Sequence, residues 1–179
     1  MTSSTIDKIM DIAESQVRAG GYNSFSFREI SLEIGIKSAS IHYHFPTKVD
    51  LGVAIASRYT ERFAEQLTTI TVTETGAANR LSAYIALFRT ALLQDKKMCL
   101  CGQLASESDV LPEPIRLETK RFFQLNLDWL AHTVFNELGT KAHTRAAAVL
   151  AILEGALLMS KVMEQSELFE QVVADISVQ

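Results

Sequence analysis

The segment Lys37–Lys48, KSASIHYHFPTK, concentrates hydrogen-bonding groups in a short stretch of chain. Small and hydroxyl-bearing residues come first, and three consecutive rings follow at His42, Tyr43 and His44. Small side chains let a backbone approach a partner closely, while the hydroxyl and imidazole groups supply hydrogen bonds further along. The residue types therefore indicate a surface that recognises a polar partner.

A helical reading of this segment separates its two faces. At 100° per residue, Ile41 and Phe45 share one face, and Ala39, Ser40 and Tyr43 stand opposite them. A helix with a slender, polar N-terminal tip suits the DNA major groove, where side chains read base edges and neighbouring groups contact phosphates. Ala39 is suited to a thymine methyl, and Ser40 to hydrogen bonds with several bases.

Cap and turn signals on both sides predict a helix-turn-helix. The capping box Ser26–Glu29 opens a short helix, which Gly35 ends in the left-handed conformation. Ser38 is predicted to cap the next helix, and Pro46 ends it. Together with a first helix that stops at Gly20, three compact helices are expected within residues 5–45.

Charge in this region is low for a DNA-binding protein. Residues 1–50 carry five basic and six acidic side chains, a net charge of −1, and the whole chain has −4. Arg28, Lys37 and Lys48 are spread as phosphate contacts would require, but one domain alone should bind DNA weakly. A dimer reading half-sites about one helical turn apart is therefore expected. The predicted DNA-binding residues are Ser26, Phe27, Arg28, Lys37, Ser38, Ala39, Ser40, His42, Tyr43, His44 and Lys48.

Helical periodicity continues through the rest of the chain, and no strand-like alternation is present, so the fold is predicted to be all-α. Longer helices are expected over residues 47–68, 77–93, from the break at Leu111–Pro114 to about 138, and over 141–164. A short amphipathic helix closes the chain. We predict an N-terminal three-helix DNA-binding domain over residues 1–46 and a larger helical domain over 47–179.

Composition limits where the protein works. The chain is 47% hydrophobic and has two cysteines, which cannot form a disulfide framework. Its N-terminus lacks the apolar core of a signal peptide, and its longest apolar run, Ala146–Leu153, is far shorter than the roughly 20 residues of a membrane span. The sequence therefore predicts a cytoplasmic protein without a membrane partner.

Three segments resemble the DNA-binding domain of TetR/AcrR-family transcriptional regulators: Phe25–Ile30, Ile34–Phe45 and Thr47–Leu51. The resemblance covers residues 5 to about 52. It implies a homodimer of nine- or ten-helix subunits that represses transcription at a palindromic operator in double-stranded DNA. It also implies that a small apolar or amphipathic inducer binds the C-terminal domain and releases the DNA. One departure is that His42 matches the family's phosphate-contacting tyrosine.

The helix over residues 141–164 is apolar nearly all round, which predicts burial on more than one side. One face closes its own domain, and the other is expected to meet a second subunit, as the last two long helices do in the family. The alternative is the central helix of a monomer. The predicted dimer-interface residues are Ala146, Val149, Leu150, Leu153, Leu157, Phe169 and Val173.

Candidate inducer-binding residues are apolar or sulfur-bearing, although at helical spacing each also suits an ordinary core. They are Phe63, Leu67, Phe88, Met98, Cys99, Cys101, Leu104, Phe122, Trp129 and Met159. The stretch from Met98 to Glu107 resembles one found near the ligand pocket in one branch of the family. Cys99 and Cys101 leave open an alternative, a repressor that senses electrophiles or oxidants through its thiols.

Other classes of protein fit the sequence less well. Ser40 and His44 are four residues apart, but no carboxylate orients the imidazole and no phosphate loop is present, so no enzymatic activity is predicted. His42 and His44 point about 200° apart on a helix, and the sequence predicts neither a metal site nor a cofactor. A helical interaction module that has lost DNA binding stays open, because the positive charge is weak.

Overall fold

The computed structural model describes residues 4–178, and over this range the chain is helical with no strand, which confirms the all-α prediction. The α-helices are α1 (Thr5–Gly20), α2 (Phe27–Ile34), α3 (Ser38–His44), α4 (Lys48–Thr73), α5 (Ala77–Leu93), α6 (Leu100–Ala105), α7 (Glu113–Trp129), α8 (Ala142–Val162) and α9 (Ser166–Val173). Shorter turns lie at Tyr22–Ser24 (3-10), Leu130–Val134 (π-helical) and Asn136–Lys141 (3-10). Within the described range, each helix is too short or too polar to cross a bilayer.

The chain forms two compact units. Unit 1 contains the chain up to Glu61 together with Leu100–Lys120, and unit 2 contains Arg62–Cys99 and the chain from Arg121 onward. Helices α4 and α7 therefore contribute residues to both units. This structural division differs from the boundary at residues 46 and 47, which stays a prediction about function.

Unit 1 extends beyond the first three helices because its core does. Ile9, Ile30 and Ile41, from α1, α2 and α3, are fully buried in one hydrophobic cluster. The same cluster contains Leu51, Ile55 and Ala56 from the first half of α4, Leu100 and Leu104 from α6, and Leu111 and Ile115 near the start of α7. Short helices bury too little apolar surface to be stable alone, so these later segments complete the core.

Most of the helix ends in unit 1 follow the sequence signals. The Ser26 hydroxyl accepts the backbone N–H of Glu29 at 3.2 Å, and Gly35 has φ 77° and ψ 34°, as predicted. Thr47 and Asp50 cap α4 reciprocally, at 2.8 and 3.1 Å. The predicted cap at Ser38 is wrong. Lys37 is the N-cap residue of α3, and its side chain accepts no capping hydrogen bond. The Ser38 hydroxyl instead lies 2.9 Å from that of Ser31.

Two helix ends and one additional helix also differ from the predictions. Helix α4 continues to Thr73, and the segment 100–105 is helical although no helix was expected there. The helix expected to reach residue 138 ends at Trp129 and is followed by a π-helical turn. Packing decides these boundaries, since buried contacts from distant segments outweigh the local preferences that a sequence pattern reports.

In unit 2, α8 packs against α5 and α9 with one face of its cylinder. The seven residues predicted for a dimer interface lie on these inward faces and are at most 6% exposed. They are Ala146, Val149, Leu150, Leu153, Leu157, Phe169 and Val173. They fill the interior of their own subunit, and their assignment to a dimer interface stays a prediction.

An aromatic cluster occupies the interior of unit 2. Phe63 makes edge contacts with Tyr84, Phe88 and Phe122 at centroid distances of 6.2, 6.1 and 5.1 Å. Tyr84 also stacks on Trp129, with ring centroids 5.4 Å apart. Such pairs stabilise a core beyond the area that they bury.

Two buried polar groups satisfy each other within this cluster. The Tyr84 hydroxyl donates to Oδ1 of Asn126 at 2.7 Å, and the Asn126 amide donates to the Phe122 carbonyl at 2.8 Å. Burial raises the pKa of Tyr84 well above its usual value, which keeps the phenol protonated as a donor. Because both side chains are hydrogen-bonded, their burial costs the folded state little free energy.

Glu154 on α8 interacts with the Cys99 thiol instead of with an amide or hydroxyl group. The residue as a whole is half-buried, but both carboxylate oxygens are shielded from solvent and neither meets a donor in full hydrogen-bond geometry. Burial raises its pKa from 4.5 to about 7, and a weak interaction with the Cys99 thiol opposes that rise. Near neutral pH the carboxyl is therefore divided between a neutral and a charged form.

We expect Glu154→Gln to remove a pH-dependent loss of stability. Because the folded pKa lies above the unfolded one, the folded state holds the extra proton between about pH 4.5 and 7, and stability falls as pH rises through that window. The loss should reach roughly 3 kcal/mol by pH 8. Urea unfolding at fixed protein concentration should show the variant gaining on the wild type between pH 5 and pH 8.

Glu137→Gln, at an exposed glutamate in unit 2, is the matched control and should leave the pH profile unchanged. If Glu154→Gln and the wild type kept a constant difference in free energy of unfolding from pH 5 to pH 8, Glu154 would have an ordinary pKa.

Candidate nucleic-acid interface

Helix α3 presents the side predicted to contact DNA. Ala39 and Ser40 are exposed near its N-terminus, and Tyr43 is 84% exposed one turn later. Ile41 is fully buried and Phe45 is 8% exposed, so the prediction that these two face inward is confirmed. Ala39, Ser40 and Tyr43 therefore lie on one solvent-exposed face of α3.

His42 is held in one orientation. Its ring packs edge-on against Phe27 with centroids 4.7 Å apart, and Nδ1 lies 3.3 Å from the Pro46 carbonyl oxygen. Because a carbonyl only accepts, Nδ1 carries the hydrogen, and Nε2 of a neutral ring has a lone pair instead of a donor. A phosphate contact from Nε2 at this position then requires the imidazolium form, unlike a tyrosine hydroxyl.

The basic side chains predicted to contact phosphates differ in their solvent exposure. Arg28 and Lys37 are exposed, whereas Lys48 is half-buried with Nζ 4.9 Å from the Tyr22 ring centroid and 4.6 Å from that of Phe25. Desolvation lowers the pKa of Lys48, although the charges of Glu29 and Glu107 oppose the shift. The two rings fix the ammonium in place through cation–π attraction.

The acidic groups of α1 are partly neutralised from outside the first fifty residues. Arg58 on α4 pairs with Asp11 at 2.9 Å and Glu14 at 3.2 Å. Arg18, one of the five basic residues counted above, is buried and lies over the Tyr59 ring. The surface charge of this region is therefore smaller in both signs than the sequence suggests.

The remaining candidates support the helix-turn-helix from within. The Ser26 hydroxyl donates to the Glu29 carboxylate at 2.9 Å in addition to capping α2. The Ser38 hydroxyl is bonded to that of Ser31, and the half-buried His44 ring lies edge-on to Tyr43, 5.0 Å away. The hydroxyls of Ser26 and Ser38 are already hydrogen-bonded, so the first role of these two side chains is to hold α2 and α3 in place.

The ten ligand candidates are divided between the units. Buried in unit 2 are Phe63, Leu67, Phe88, Met98, Cys99 and Phe122, and Trp129 is half-buried there. Cys101 and Leu104 are buried in unit 1, where Leu104 belongs to the hydrophobic core. Met159 is 51% exposed on α8, and its assignment to the ligand site stays a prediction.

Sequence reasoning missed three polar residues of the unit 2 interior: Tyr84, Asn126 and Glu154. Their signal was present, because each is a polar residue among apolar positions of a predicted helix. The sequence does not show which of these polar groups bond to each other. Tyr84 and Asn126 form a hydrogen bond, whereas the Glu154 carboxylate is not part of it.

Comparison with known proteins identifies the family of the N-terminal helices. Residues 9–55 match the family model described as bacterial regulatory proteins of the tetR family. A search of curated proteins found no match to the chain.

Solved structures match nearly the whole chain. A TetR transcriptional regulator from Legionella pneumophila is 34% identical, with 96% of this chain and 94% of that one covered and a TM-score of 0.90. A TetR-family regulator from Agrobacterium tumefaciens is 30% identical, covers 94% and 93%, and has a TM-score of 0.89. Bacillus subtilis FadR, in complex with stearoyl-CoA, is 16% identical, covers 95% and 98%, and has a TM-score of 0.72. The helix-turn-helix matches the family model, and the Legionella and Agrobacterium regulators are 34% and 30% identical over nearly the whole chain. The chain therefore belongs to the TetR family of transcriptional regulators.

Proposed function

We propose that the protein is a repressor that binds a palindromic operator as a homodimer and is released by a small amphipathic inducer. The observation that carries this proposal is the exposed face of α3, where Ala39, Ser40 and Tyr43 stand free of the protein. These side chains are suited to base edges, and Arg28 and Lys37 to the flanking phosphates. Such a protein would act in the cytoplasm, without enzymatic activity.

The dimer would form through the outward face of α8. Ile152, Leu158, Met159 and Val162 are large apolar side chains between 36% and 73% exposed. Gly155 lies among them, and a Cβ built there would meet no atom within 4 Å, so a partner helix has room to approach closely. An apolar strip of this kind is characteristic of a surface that a second chain covers.

The inducer would enter the interior of unit 2, where the aromatic cluster and the Glu154 carboxyl supply both parts of an amphipathic site. A carboxyl without a strong donor gains a hydrogen bond from a ligand that carries one. FadR shows that a protein of this fold binds an amphipathic molecule, since its structure contains stearoyl-CoA. A change of 5–150-fold in DNA affinity needs only about 1–3 kcal/mol of coupling. The continuous α4 helix, which belongs to both units, would transmit it.

The electrophile-sensing alternative has less support. Cys99 and Cys101 are 2% and 0% exposed, and oxidants react with accessible thiolates.

Lys37→Ala should weaken DNA binding equally on all sequences. If Arg28 and Lys37 each contact one phosphate in both subunits, the slope of log affinity against log salt is about −3.6 for four contacts. Removing Lys37 from both subunits should bring the slope to about −1.8. Fluorescence anisotropy on operator DNA, selected beforehand from a random pool, measures both slopes.

Two comparisons accompany this experiment. Lys120→Ala removes an exposed lysine of α7 and should leave the slope unchanged. Ser40→Ala should change base preference at one position of each half-site and leave the slope intact. Affinity independent of salt would exclude the phosphate contacts, and failure to select any DNA from the random pool would favour the interaction module without DNA binding.

Leu158→Glu should convert the dimer to a monomer, because two charges would be buried where the α8 faces meet. Operator affinity should fall at least 100-fold, since a single domain has few phosphate contacts. Sedimentation equilibrium and anisotropy check the two effects. Leu117→Glu is the matched control, because both leucines are 52% exposed. A dimeric Leu158→Glu variant would place the interface elsewhere.

A further inference from the structure

We propose that Asp128, His132 and His143 form a binding site for a transition-metal ion of the zinc type. One ligand atom from each of the three side chains lies within 4.8 Å of the other two, and Nε2 of His143 is 3.5 Å from Oδ1 of Asp128. Two imidazoles and one carboxylate are a set of donors that zinc uses when a fourth position stays open to water. This proposal does not depend on DNA binding.

Local structure brings these residues together. Asp128 is in the last turn of α7, His132 lies in the π-helical turn that follows, and His143 is in the first turn of α8. The π-helical turn is closed by a bond from the Phe135 N–H to the Leu130 carbonyl at 2.9 Å. Widened turns of this kind occur often at functional sites, where they redirect side chains.

Hydrogen bonds already orient two of the three ligands. Nδ1 of His132 is 2.8 Å from the Asp128 carbonyl oxygen, which only accepts, so Nδ1 carries the hydrogen and Nε2 has a free lone pair. The Gln124 amide donates to Oδ1 of Asp128 at 2.9 Å. Metal-binding imidazoles and carboxylates are commonly fixed by outer partners in this way, which makes this cluster more than a chance meeting of polar groups.

Geometry and donor type indicate which ion fits. Tetrahedral zinc with bonds of 2.0–2.2 Å places its ligand atoms about 3.3 Å apart. His132 and His143 are exposed, and their rings are already 5.3 Å apart between centroids, so small side-chain rotations would bring the donors to that spacing. Imidazole nitrogen favours zinc, nickel and copper, whereas magnesium and calcium prefer a shell of oxygen atoms.

A bound ion would connect the end of α7 to the start of α8, both within unit 2. Because only the folded chain brings the three ligands together, binding stabilises that state by mass action. Protonation of His143 is the alternative explanation for the close approach of these side chains. A charged His143 paired with Asp128 would also account for their 3.5 Å separation, with no metal involved.

Calorimetric titration of the tag-free, metal-depleted full chain with zinc chloride tests the proposal. We expect saturable binding of one ion per chain, weakened at least 10-fold in both His132→Ala and His143→Ala. The double variant His42→Ala with His44→Ala removes the chain's other two histidines and should bind as the wild type does. Saturating zinc should raise the wild-type melting temperature by about 5 °C and leave His143→Ala unchanged.

Cobalt serves as a second probe, because it separates this site from the cysteines. Bound Co²⁺ should show tetrahedral visible bands without the charge-transfer absorption of a thiolate ligand. Undiminished zinc binding in His132→Ala and His143→Ala, a cobalt–thiolate band, or the absence of saturable binding in the wild type would each overturn the assignment.

Discussion

Burial of the inward face of α3 is the constraint on which the proposed DNA-reading surface depends. Ile41 is fully buried among residues from α1, α2 and α4, and a helix of seven residues has no stability without such packing. Because Ile41 fixes the rotation of α3 about its axis, Ala39, Ser40 and Tyr43 must face outward. Gly35 sets the turn into α3, since its φ of 77° strains any side-chain-bearing residue.

The low charge of this domain has a structural explanation. Asp11 and Glu14 are paired with Arg58, and Lys48 lies over two rings, so several charges stabilise unit 1 before any DNA is present. In the proposed dimer, recognition would then rest on shape and on a few phosphate contacts, made once by each subunit. DNA affinity would therefore depend on the proposed dimer more strongly than it would for a highly basic domain.

The parts of this fold that local patterns determine could be predicted, and those that distant contacts determine could not. The boundaries of α2, the turn at Gly35 and the cap at Thr47 follow from residues within four positions of one another. Helix α6 and the π-helical turn depend on packing, and the Ser38 hydroxyl bonds to that of Ser31, seven residues away, instead of capping α3. Asp128 and His132 show helical spacing, but His143 joins them only after a turn at Gly139 that has φ 55°.

Helix α8 shows why the composition of a helix does not identify its contacts. Its apolar residues surround the axis, so a sequence cannot separate the side that packs on α5 and α9 from the side left exposed. Leu153 and Leu157 fill the interior while Ile152 and Leu158, each one position away, are exposed. Adjacent residues are 100° apart, and a rotation of that size exchanges core for surface. Glu154 has its carboxylate on the shielded side of this boundary, on the helix that we propose holds the dimer together.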